Sequence, residues 1–202
     1  MQISRIVALP NHKVRVSLIE NLHVILPLDI VLSEHLKTGQ VLNDQQWLKL
    51  TQLSQSSQLI NKAIKWATLR PHSIAEFDTW ATKNIPPDQV DFISAKLHKL
   101  ELLDDVKFTK WWVQNRQSFR PRSKQELKAE LRSKGIESQI LNDVLNDVDE
   151  SFSCEPVARK YFKRLSSYPP QVQKQKLFAY LSRRGFSYSQ IKQVTDQILS
   201  GD

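Results

Sequence analysis

Cysteine occurs once in these 202 residues, at Cys154, so no disulfide can form within the chain and stability must come from burial and hydrogen bonding. Its place beside a helix start reads as a small buried residue rather than a reactive thiol. Glycine is scarce as well, four residues against nine prolines, which argues against a turn-rich β fold and for helices whose starts proline marks. No window approaches the roughly 20 apolar residues needed to span a bilayer. The N-terminal stretch also lacks the continuous apolar core of a secretory signal. The expectation is a cytoplasmic chain with no membrane partner.

The chemistry of catalysis is missing too. Five histidines, at positions 12, 23, 35, 72 and 98, stand at no metal-ligating spacing. There is no phosphate-cradling glycine loop, no GxSxG and no Cys/His pairing. The adjacent carboxylates Asp104 and Asp105 are tempting as an acid and base. Neighbours at a helix start point in different directions, however, and the pair reads as a helix cap. No catalytic residue, metal or cofactor is expected, and the chain is not read as an enzyme.

What is present is self-similarity. Leu127, Leu131, Lys134, Gly135 and Ile136 return as Leu177, Leu181, Arg184, Gly185 and Phe186, a constant offset of 50 residues. Upstream, Arg70, Pro71, Ser73, Glu76 and Phe77 match Arg120, Pro121, Ser123, Glu126 and Leu127 at the same offset. A period of this length means one small supersecondary unit used repeatedly, each unit burying its apolar face against neighbours.

Each unit reads as three helices, so the fold class is mainly α, with three tandem three-helix repeats of about 50 residues and a small β-hairpin-containing extension. In the middle unit Asp104 or Asp105 caps a helix carrying Phe108, Trp111, Trp112 and Val113. Ser123 and Glu126 form a capping box for a second helix with Leu127 and Leu131 inside, as Ser73 and Glu76 do in the first unit. Gly135 stops that helix in the left-handed conformation. A third helix places Ile140, Leu141, Val144, Leu145 and Val148 inward and Asp143, Asp147, Asp149 and Glu150 toward water. The third unit repeats this with Tyr161, Phe162 and Leu165, then Leu177, Phe178 and Leu181, then Ile191, Val194 and Ile198, the last helix boxed by Ser187 and Gln190. The first unit has Asn84 where the others have glycine, and asparagine tolerates the left-handed conformation.

The N-terminal segment differs in kind. Val14, Val16 and Leu18 alternate with polar residues, Glu20-Asn21 offers a turn, and a second apolar run from Leu22 to Leu28 completes a hairpin, with Ile3 to Leu9 as a third strand. An amphipathic stretch from Asp29 to Leu36 reads as a helix with Gly39 at its C′ position. Asn43 can cap the next helix, through Trp47, Leu48 and Leu50. The boundaries follow: a β-rich extension over 1–42, a first repeat with a lead-in helix over 43–103, a second over 104–151 and a third over 152–202.

Net charge is +8, and it is segregated: residues 107–134 sum to +7, residues 137–155 to −6 and residues 159–192 to +9. Such blocks attract a polyanion, either nucleic acid or an acidic protein surface. Lys124, Lys128 and Arg132 fall at i, i+4 and i+8 on one helix, with Arg120 and Arg122 at its entry, and form the leading candidate contact. Lys163, Arg164, Lys174, Arg183 and Arg184 make up a second cluster. Lys134, Arg183 and Arg184 lie in last helical turns, where a favourable interaction with the helix dipole is an equal explanation. Trp111 and Trp112 could stack on bases, but core and seam packing is the simpler role.

The strings ELLDDVKFTKWWVQNR at 101–116, RPRSKQELKAELRSKGI at 120–136 and LSRRGFSYSQI at 181–191 resemble the regulatory protein RecX family. The likeness covers residues 57–200, with departures at Thr109, Trp111-Trp112 and Ser118-Phe119-Arg120. It implies tandem three-helix repeats, a β-rich extension in longer members and no catalytic activity. It also implies a protein that binds the RecA–DNA filament and modulates, usually inhibits, the RecA recombinase, and thereby bears on recombination, DNA repair and the SOS response. Single-stranded DNA would be touched directly or within that filament, by a monomer. The alternative is a direct DNA-binding helical repeat protein, since a glycine-stopped helix followed by another has helix-turn-helix spacing. Ser138-Gln139 and Tyr188-Ser189-Gln190 would be its base-reading residues.

Overall fold

The computed structural model describes residues 1–149 and 151–200, with backbone alone at 151 and 152. Glu150, assigned above to the acidic face, lies outside the described residues. The chain divides into two compact units, Met1–Leu69 with Asn84–Leu100, and Arg70–Lys83 with Glu101–Asp202.

In the first unit β1 (Ile3–Leu9), β2 (Lys13–Leu18) and β3 (His23–Pro27) form an antiparallel sheet in the order β1-β2-β3. The period-two pattern sets the register. Val16 pairs with both Ile6 and Val24, and Val14 with Ala8 and Leu26, so Val14, Val16, Leu18, Val24 and Leu26 share a buried face. That face joins a core with Leu50 and half-buried Trp47 and Leu53 of α2 (Asp44–Ala67). Asn43 caps α2 as read from the sequence, and the structure adds a reciprocal box with Gln46. The lead-in helix and the first repeat helix are one continuous 24-residue rod. Its N-terminal half serves the sheet: Ser54 Oγ donates to the Ile25 carbonyl at 2.8 Å. Its C-terminal half runs beside α4 (Pro87–Lys99), where Ser56 donates to Gln89 at 3.1 Å.

Two stops differ from expectation. Gly39 is not the C′ residue of α1 (Leu28–Ser33). That helix ends at His35, whose φ is +49°, with Leu36 N–H returning to the Val31 carbonyl, while Gly39 sits in a later turn and donates to Ile3 of β1. Asn84 does not take the left-handed conformation either. It is the last residue of α3 (Ile74–Asn84) and is absent from the positive-φ residues. The reason is Pro86: it pushes Ile85 toward extended geometry, so the helix stops without a left-handed residue.

The second unit holds α3 up to Lys83, then α5 (Asp105–Phe119), α6 (Lys124–Ser133), α7 (Ser138–Asn146), α8 (Ser151–Phe162), α9 (Pro170–Arg183) and α10 (Tyr188–Ser200). Phe108, Leu127, Leu131 and Leu141 are fully buried in one core, and Cys154, Leu177, Leu181 and Ile191 lie in another. These are corresponding layers one repeat apart. Capping follows the sequence pattern, with reciprocal boxes at Ser123–Glu126 and Ser187–Gln190. Asp104 caps α5 by accepting from Val106 and Lys107, whereas Asp105 reaches across to the backbone N–H of Ile74 at 2.9 Å and caps α3.

Leu131 and Leu181 have no exposed surface. Leu131→Ala or Leu181→Ala should each lower stability by about 2–5 kcal/mol. Hydrogen exchange should show protection falling in both repeats from either change, because each unit leans on the next. Loss confined to the mutated repeat would count against the array.

Candidate functional site on clasped repeats

The repeats of the second unit are joined by a polar clasp used twice. Ser73, at the entry to α3, accepts from Glu76 N–H at 3.1 Å and donates its own hydroxyl proton to the Lys134 carbonyl at the end of α6, at 2.8 Å. One repeat later Ser123 accepts from Glu126 N–H and donates to the Arg184 carbonyl at the end of α9. Each serine thus satisfies an unpaired donor at one helix start and an unpaired acceptor at another helix end. The dipoles meet head to tail, and a full ion pair reinforces each junction. Lys134 Nζ is 2.8 Å from Glu76 Oε1, and Arg184 forks onto both oxygens of Glu126 at 2.9 and 2.8 Å.

Gly135 and Gly185 close the clasp. Their φ values, +80° and +81°, supply the left-handed stop read from the sequence. They also admit close approach: a Cβ on Gly135 would lie 2.5 Å from the Ala75 Cβ, and one on Gly185 would collide with Gln125. The repeated signal was visible in the chain as Glu at 76 and 126 against Lys134 and Arg184, but offsets of 58 residues do not suggest a pair without the fold.

A second carboxylate organises the middle repeat. Glu130 accepts from Trp112 Nε1 at 3.0 Å, Arg116 Nε at 2.7 Å and Arg122 Nε at 3.0 Å. Burial works to raise its pKa, but the hydrogen bonds from Arg116 and Trp112 outweigh that and hold it below the usual carboxylate range. Arg116 lies over the Trp112 ring at 4.4 Å and Arg70 over Trp111 at 5.5 Å. Both indoles are half-buried against the core, so the tandem Trp serves packing and the seam toward α3.

The predicted basic residues separate into two groups. Arg184 is in the clasp, its side chain only 16% exposed, and Arg122 is held by Glu130. Lys124 and Lys128 lean on α7, donating to the Asn146 carbonyl at 3.2 Å and Asn142 Oδ1 at 2.9 Å. Lys174 pairs with Asp196 at the surface. Arg120, Arg132, Lys163, Arg164 and Arg183 are exposed and make no ion pair among the described residues. Within the predicted set, the unpaired outward charge sits at the mouth of α6, the ends of α6 and α9 and the turn after α8.

Glu76 supplies a pH test. Burial raises its pKa, yet hydrogen bonds from Arg70 and Lys134 and their charges pull it from 4.5 down to about 2. The folded value is depressed, so the contribution is complete at neutral pH and is lost as pH falls from the ordinary carboxylate range through about 2. Glu76→Gln should cost about 1 kcal/mol at pH 7, its cations being part-exposed, and should flatten the decline of melting temperature in acid. Matching acid declines in the two chains would remove Glu76 from this role. Arg184→Ala, which strands a half-buried carboxylate, should cost about 2–3 kcal/mol by denaturant unfolding.

Comparison with known proteins agrees with this geometry. Residues 104–145 match the family described as RecX, second three-helix domain, and residues 153–195 match RecX, third three-helix domain. The regulatory protein RecX of Chlorobium phaeobacteroides (strain BS1) is 33% identical over 137 residues, 67% of this chain and 90% of that one. The regulatory protein RecX of Mycolicibacterium smegmatis is 29% identical over 157 residues, 74% of this chain and 84% of the relative. A crystal structure of regulatory protein RecX superposes with a TM-score of 0.74 at 20% identity, covering 96% of this chain and 98% of that one, a likeness of fold. RecX from Lactobacillus salivarius gives 0.60 at 23% identity, over 70% and 95% of the two chains. With tandem three-helix repeats behind a small β module, and a relative one-third identical over nine-tenths of its length, the chain belongs to the RecX family of regulatory proteins.

Proposed function

We propose that this protein binds the RecA–DNA filament in the cytoplasm and restrains the RecA recombinase, lowering ATP hydrolysis and strand exchange while catalysing nothing itself. The observation that carries the reading is the set of exposed cations, Arg120, Arg132, Lys163, Arg164 and Arg183, displayed on two repeats of one compact unit. A helical filament presents repeating negative charge, and cations fixed on a clasped array can meet several sites at once with little ordering cost. Lys124, Lys128, Arg122, Lys174 and Arg184 serve that set by holding the helices in place. Membership of the RecX family supports the partner.

Direct DNA binding is the second reading, favoured by the exposure of Ser138, Gln139, Tyr188 and Ser189 at the starts of α7 and α10. Titrating the protein against assembled filament and bare single-stranded DNA over a salt series separates the two. Tighter filament binding with loss of RecA ATPase supports the proposal, and equal affinity for bare DNA supports the second reading. Arg132→Glu with Arg183→Glu should weaken filament binding about tenfold or more and flatten the salt dependence. Melting should hardly move, because exposed changes cost within about 0.5 kcal/mol. Inhibition at unchanged protein concentration would place the contact elsewhere.

A further inference from the structure

Between the α5–α6 connection and helices α8 and α9 lies a cleft of 370 Å³, lined by Phe119, Arg120, Arg122, Lys160, Tyr180 and Arg184 among others, all in the second unit. Its volume falls at the small end of the range for sites that hold a discrete ligand, about 300–1,000 Å³. Two of its four cations are neutralised within the fold: Arg122 by Glu130, and Arg184 by Glu126, with Arg184 also donating to the Pro121 carbonyl and to the Tyr180 hydroxyl. These form a fixed polar wall. Tyr180 also stacks on Tyr161, with ring centroids 3.8 Å apart and planes 13° from parallel.

The remaining pieces have no structural duty of this kind. Arg120 and Lys160 are exposed and make no ion pair among the described residues. Phe119 closes α5 with 78% of its surface in water, more than any other large exposed apolar side chain of the described residues. Covering the exposed ring removes apolar surface from water, and the hydrated guanidinium beside it is free to pair with an anion, whose charge would offset the loss of its water. Proline at 121 limits the backbone directly after Arg120, so the ring and the cation are presented on a restrained turn.

We propose that this cleft is a single-nucleotide subsite for single-stranded nucleic acid, in which one base stacks on Phe119 and the flanking phosphates are held by Arg120 and Lys160. A stretch of single strand is the occupant that offers a planar apolar face and an anionic group one sugar apart, in repeating order. Duplex DNA hides its base faces, and a purely acidic peptide would answer the cations and leave Phe119 wet. The cleft also stands where the two basic blocks of the sequence, 107–134 and 159–192, come together, so a longer strand leaving it on either side meets positive surface. The subsite does not depend on RecA, and its test uses none.

The experiment measures fluorescence anisotropy of the full chain with a labelled short oligothymidylate and with the same backbone carrying abasic sites. The natural chain should prefer the oligothymidylate by about 5- to 150-fold, the worth of one stacked base. Phe119→Ala should erase that preference and Phe119→Trp should keep it, whereas Phe92→Ala, at a 59% exposed ring in α4, should leave it unchanged. Arg120→Glu with Lys160→Glu should weaken both oligonucleotides alike. Melting curves verify that each variant folds. A natural chain indifferent to the missing bases, or a Phe119→Ala chain that retains the preference, overturns the subsite. Normal oligonucleotide binding by the cleft variants together with lost binding to assembled RecA filament also overturns it, and makes the cleft a protein contact.

Discussion

The second unit depends on one kind of junction: a helix start in one repeat set against a helix end in the next. Left alone, the start of α3 and the end of α6 would each present unpaired backbone groups that must find water or a partner. Ser73 and Ser123 bridge them with a single hydroxyl apiece, and Glu76 and Glu126 add charge of the sign the helix dipole favours against Lys134 and Arg184. Gly135 and Gly185 allow the approach, since any Cβ there would meet Ala75 or Gln125. Without that geometry the buried leucine layers of adjacent repeats would have no fixed spacing.

The clasp also determines which charge faces outward. A basic chain of this composition looks uniformly adhesive on paper, yet many of its cations are engaged internally. Arg116 and Arg122 converge on Glu130, Lys134 and Arg184 serve the clasp, and Lys124 and Lys128 bind the polar groups of α7. Of the predicted contact residues, Arg120, Arg132, Lys163, Arg164 and Arg183 stay exposed without an ion pair among the described residues. Charges carried on packed helices discriminate between partners by spacing, whereas a dense flexible run would bind any polyanion.

Local structure was legible from the chain in most places because its causes are local. Alternation in the first residues produced the three strands, Asn43, Ser123 and Ser187 produced caps, and Gly135 and Gly185 produced stops. The misreadings have local causes as well. Asn84 resembled a glycine substitute by alignment, but the constraint at that point was Pro86 two residues later. Gly39 resembled a helix stop, but His35 took the left-handed conformation first and left Gly39 to a turn against β1.

The sequence by itself determined the period, the helical class, the buried leucine positions and the segregation of charge, since each follows from residue order and the 3.6-residue repeat of a helix. Tertiary structure alone decided which charges are partners. Asp105 caps a helix 31 positions away, Glu76 and Glu126 reach 58 positions to their cations, and Phe119 stays exposed. Such pairings depend on where helix ends arrive in space, and a spacing along the chain carries no information about that until the repeats have stacked.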